Sequence, residues 1–102
     1  MESEWKEAVR RFVLNNLGQL EQEEFDAWLD GDLELAPLLA TFLKTQKQQR
    51  DAILRELYQI SPAEVCDMFR AEHPELVFGD SQKIILRIGK ELEGMKEVLR
   101  SV

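Results

Sequence analysis

Cysteine occurs once in this chain, at Cys66, and histidine once, at His73. A single cysteine excludes an intramolecular disulfide framework and any metal site built from several thiolates. A single histidine gives no ground for assembling a Ser-His-Asp set. The five glycines (18, 31, 79, 89 and 94) are too scattered for a phosphate-cradling loop. No apolar run is long enough to cross a membrane. The opening MESEWKEAVRR has no apolar h-region, so no secretory signal is expected. These absences together predict a cytoplasmic, non-enzymatic chain with no membrane contact, no cofactor and no metal.

What is present is charge and helical periodicity. The chain has 102 residues, 44% of them hydrophobic and 32% charged, which suits one globular domain over residues 1–102. Thirteen basic and twenty acidic residues give a net charge of −7. The excess sits in one segment: Glu21, Glu23, Glu24, Asp26, Asp30, Asp32 and Glu34 are seven acids within fourteen residues, with no Lys or Arg among them. The stretch Lys44, Lys47, Arg50, Asp51, Arg55 leans the other way. An acidic chain repels phosphate at long range, so nucleic acid is disfavoured as a partner, although a local basic face still acts within a Debye length of about 8 Å.

The hydrophobic spacing predicts an all-α fold, a compact bundle of about five helices over 4–17, 21–29, 37–59, 62–72 and 81–99. Trp5, Ala8, Val9, Phe12 and Val13 form one stripe. Phe25, Trp28 and Leu29 form another, closed by the turn signal Asp30-Gly31. Pro37 suits a helical first turn. From Leu38 to Ile60 neither Gly nor Pro intervenes, which favours one long helix, the other possibility being a break near Thr45–Gln49. A helix of that length in so small a domain raises the expectation of a dimer. Ser61-Pro62-Ala63-Glu64 is a capping-box start, with Ser at N-cap, Pro at N1 and Glu at N3. Glu75–Gly79 reads as a loop. Ile84, Ile85, Ile88, Leu92, Met95 and Leu99 then make a long stripe in which Gly94 is a possible end. The expected core is Trp5, Val9, Phe12, Val13, Phe25, Trp28, Leu39, Phe42, Leu54, Leu57, Val65, Phe69, Ile84, Ile88 and Leu92.

Four groups of residues are candidates for chemistry. His73, flanked by Glu72 and Glu75, has the context of a solvated loop residue. Cys66 lies on an apolar helix face, where cysteine serves as a small hydrophobe, but close to a helix start that favours thiolate. Asp30, Asp32 and Glu34 have the spacing of an opening calcium loop, but Leu35 and Thr41 stand where that loop needs Gly and Glu. Leu54 to Leu99 can be read as three helices, with an order similar to a tri-helical helix-turn-helix core. In that reading Lys83, Arg87 and Lys90 form a nucleic-acid-binding face of the last helix. The long connection from Glu72 to Asp80 and the lack of a following wing argue against it. The favoured expectation is a protein-interaction module, with the acidic window as its patch and the chain itself, as a homodimer, one possible partner.

Overall fold

The computed structural model describes residues 4–74 and 80–101, without the side chains of 39, 40, 42 and 43. The helices are α1 (Glu4–Gly18), α2 (Gln22–Leu29), α3 (Ala36–Thr45), α4 (Arg50–Gln59), α5 (Pro62–Glu72) and α6 (Ser81–Arg100), with a 3-10 turn at Lys47–Gln49. The fold is an all-α compact bundle. The expected Glu75–Gly79 loop and the core positions Leu39 and Phe42 lie outside what is described.

α6 is the organising element. Ile84, Ile88, Leu92, Met95 and Leu99 are all buried along it, and α2, α3, α4 and α5 all pack against it. α1 lies across α4 and α5. Asp80 starts α6 by accepting from the Gln82 N–H at 2.9 Å. Gly94 does not end it. A Cβ at Gly94 would stand 3.0 Å from the Ala36 Cβ, so the missing side chain lets α3 begin close against α6.

One expectation is corrected in the middle of the chain. Residues 37–59 do not form a single helix: α3 and α4 are separated at Gln46–Gln49. Lys44–Asp51 carries no apolar side chain, so no burial holds a continuous helix straight across it. Arg50 instead anchors the start of α4, donating through Nε to the Leu99 carbonyl near the end of α6 at 2.6 Å. Four of the helices are therefore where the spacing puts them, and the other two come from the division of the fifth.

The buried face of α1 also differs. Val9, Val13, Leu14 and Leu17 are buried together with Arg10, while Trp5 and Phe12 are only partly covered, as is Leu54 in α4. Arg10 is 3% exposed, and its Nη2 lies 3.0 Å from Glu64 Oε1 on α5. That pairing takes up the Glu64 carboxylate. At the start of α5, Ser61 Oγ accepts from the Glu64 N–H at 3.3 Å, which is half of the expected capping box. Arg11 grips Glu72 at the far end of α5 through two bonds of 3.0 and 2.6 Å. Those bonds hold the Glu72 carboxyl below the usual carboxylate range.

Two measurements test this packing. Urea unfolding of Gly89→Ala should show a gain of about 0.5–1 kcal/mol, since helix propensity improves and the new methyl meets only Pro62 Cγ, at an ordinary 3.7 Å. Gly94→Val should lose about 1–3 kcal/mol by pushing α3 off α6. The Arg11–Glu72 pair contributes stability above the ordinary carboxylate pKa, which is lost as pH falls through the lowered folded value. Arg11→Ala should therefore move the Glu72 titration, followed by carboxyl NMR shifts, back up toward the ordinary range.

Candidate functional site

The seven carboxylates of the acidic window are all exposed. α2 begins where Glu24 Oε1 accepts from the Glu21 N–H at 3.0 Å, and Asp26 accepts from Gln22 Nε2 at 3.1 Å. After Leu29 the chain turns at Gly31, whose φ of 86° suits glycine. It then runs through Asp32–Glu34 to the start of α3. Among the described residues, the ion pair formed by this window is Asp30 with Lys83 of α6, at 3.3 Å and exposed on both sides. No ion pair among the described residues joins the window to Lys44, Lys47, Arg50 or Arg55.

Beneath this connection lies a buried charged pair. Glu91 is 2% exposed and Arg87 is 8% exposed. Glu91 Oε1 accepts from the Trp28 indole N–H at 3.0 Å and from the Leu35 N–H at 2.8 Å, and Oε2 accepts from the Ala36 N–H at 2.7 Å. Leu35 and Ala36 stand at the entrance to α3, where backbone donors lack intrahelical acceptors and the helix dipole favours an anion. Arg87 Nε donates to the Trp28 carbonyl at 2.6 Å. Its Nη2 donates to the Leu33 carbonyl at 3.1 Å and to Glu91 Oε1 at 3.3 Å. The guanidinium also lies 5.5 Å from the Trp28 ring centroid. Each charge thus has both its opposite and several dipoles against it, as burial requires.

A cleft of about 320 Å³ opens beside the pair, lined by residues that include Asp30, Glu34, Arg87, Lys90 and Glu91. Asp30 and Glu34 come to it from the α2–α3 connection, and Arg87, Lys90 and Glu91 from α6.

Lys83, Arg87 and Lys90, expected as a nucleic-acid face, do not share one exposed surface. Arg87 is turned inward and spent on the α2–α3 connection. Lys83 is exposed but bound to Asp30, and Lys90 is exposed at the cleft. Glu91 was missed by sequence reasoning, yet a signal existed. It falls three residues after Ile88 and four before Met95, so helical spacing places a carboxylate inside the apolar stripe, with Arg87 one turn earlier.

The other candidates are packing residues. Cys66 is 1% exposed, and burial pushes its thiol pKa up, away from a reactive thiolate. His73 tilts against Phe69 with ring centroids 5.1 Å apart and covers Gly18, where a Cβ would come within 2.6 Å of its Nε2. Among the described residues no group of three or more His, Cys, Asp or Glu is placed to share a metal ion, and no helix is long and apolar enough to cross a membrane.

In comparisons with known proteins, no family model, curated protein or solved structure matches this chain.

Removing the Glu91 carboxylate tests the buried pair. Glu91→Ala strands Arg87 and three N–H donors, and should cost about 3–5 kcal/mol in urea unfolding. Replacing both charges, in Arg87→Leu/Glu91→Leu, should still leave the protein destabilised, because the Trp28, Leu35 and Ala36 donors lose their acceptor at about 1–3 kcal/mol each.

Proposed function

We propose that the protein is a small, non-enzymatic interaction module that presents the acidic surface of α2 and the α2–α3 connection to a basic protein surface. The observation that carries this reading is the contrast between inside and outside. Arg87 and Glu91 are buried and consumed in holding the chain, whereas all seven carboxylates of residues 21–34 remain at the surface. Only Asp30 of the seven is ion-paired among the described residues. A concentrated field of one sign steers a complementary partner and sets its orientation. The basic stretch Lys44, Lys47, Arg50 and Arg55 on a second copy supplies such a surface, and two-fold symmetry would use both patches twice.

The inward turn of Arg87 weighs against the nucleic-acid reading, since it leaves two lysines, one of them already paired, on the face that would meet phosphate.

Sedimentation equilibrium at about 50 and 300 mM salt tests the self-association version of this proposal. The expected result is a dimer that weakens as salt screens the facing charges. It should be lost in Glu23→Lys/Asp32→Lys/Glu34→Lys, with the helical circular dichroism spectrum unchanged. A monomer at hundreds of micromolar in low salt removes the docked homodimer, and the triple variant then becomes the control for capture by a basic heterologous partner. Salt-sensitive binding of a labelled DNA duplex by the native chain would overturn the protein-partner reading.

A further inference from the structure

The break between α3 and α4 divides the chain into halves of unlike character. α4, α5 and α6 form a unit of their own, with α4 and α5 both packed on α6. Arg50 also bonds the Leu99 carbonyl within it, and Arg100 bonds the Tyr58 hydroxyl. α1, α2 and α3 instead find their main packing on that unit: α1 on α4 and α5, α2 and α3 on α6. The polar contacts that fix them cross the break as well. These are Arg10–Glu64, Arg11–Glu72, Asp30–Lys83 and the cage of Trp28, Leu35 and Ala36 around Glu91.

The break is made of residues that do not ask for one. Thr45-Gln46-Lys47-Gln48-Gln49 contains neither glycine nor proline, and glutamine and lysine are good helix formers. The chain leaves the helical region outright at Gln46, with φ −108° and ψ 37°, and less far at Gln49, with φ −103° and ψ 6°. A continuous helix from 36 to 59 would be about 36 Å long at ~1.5 Å per residue. That is within the 39 Å longest dimension of the closed chain.

We propose that two copies exchange their N-terminal halves: the α3–α4 break straightens into one helix, and residues 4–45 of each copy pack on α4–α6 of the other. The exchanged dimer remakes between chains every contact that crosses the break, including the carboxylate cage of Glu91 around the entrance to α3. The surface is complementary because it is the chain's own, and the only new conformation is a helical one at 46–49. The cleft of about 320 Å³ then becomes composite, with Asp30 and Glu34 from one copy and Arg87, Lys90 and Glu91 from the other. This exchange does not rest on acidic-surface docking: its interface is the chain's own largely apolar packing, so the exchanged dimer should survive salt that screens facing surface charges.

The test refolds a mixture of unlabelled and 15N-labelled native protein from denaturant at about 1 mM and isolates any dimer by size exclusion. It then applies a zero-length carbodiimide cross-linker and reads the Asp30–Lys83 peptide pair by mass spectrometry. The expected result is a dimer that survives dilution and gives mixed-isotope Asp30–Lys83 cross-links, about half of all such links. Gln46→Gly/Gln48→Gly, which weakens the straightened helix but suits the turn, should lower the dimer yield roughly tenfold or more. A dimer whose Asp30–Lys83 links are all of one isotope overturns the exchange and leaves acidic-surface docking standing. No dimer after refolding at that concentration overturns it as well.

Discussion

Two charges closed away from water on consecutive turns of α6 set the terms for the rest of the molecule. Taking an arginine and a glutamate into an apolar interior costs more than their attraction alone returns, unless every remaining donor and acceptor is met. Here the Glu91 carboxylate and the Arg87 Nε and Nη2 are met by one short stretch of chain: the Trp28 indole and carbonyl, the Leu33 carbonyl, and the amides of Leu35 and Ala36. The end of α2, the path of the connection and the first turn of α3 are fixed together as a result. An apolar contact could be repacked in several ways, but this set of directions allows one.

Much of the architecture was legible because it follows from repetition and from local stops. The apolar stripe of α6, the Ser61-Pro62 entrance to α5 and the turn at Asp30-Gly31 are visible in the spacing and identity of neighbouring residues, and each stands where it was expected. The seven acids of the window lie at the surface. What was not legible depends on residues distant in sequence. The face of α1 that is buried includes Leu14 and Leu17, and the same face carries Arg10 to Glu64, a partner 54 positions away. The break after Thr45 is the less favoured of the two readings the sequence offered: the helix formers of 45–49 point to one helix, and the absence of an apolar side chain from Lys44 to Asp51 was the signal for two.

Arg87 shows the same limit at the candidate site. Its spacing from Lys83 and Lys90 fits a basic surface, and local pattern alone favoured that reading. Its partners are carbonyls of Trp28 and Leu33, more than fifty residues earlier, and a backbone carbonyl leaves no mark on the sequence. The neighbouring Glu91 was the available hint, because a lone carboxylate within an apolar stripe is costly to bury without a cation beside it.

The dependence of α1, α2 and α3 on α6 has a consequence for biosynthesis. The first half of the chain leaves the ribosome before the surface it packs on has been made, at about 5–20 residues per second. Its apolar side chains, Val9, Val13, Phe25 and Trp28 among them, spend that interval uncovered. Three amphipathic segments are thus synthesised in advance of their shared support, and stable structure must await the arrival of Glu91 and the stripe around it.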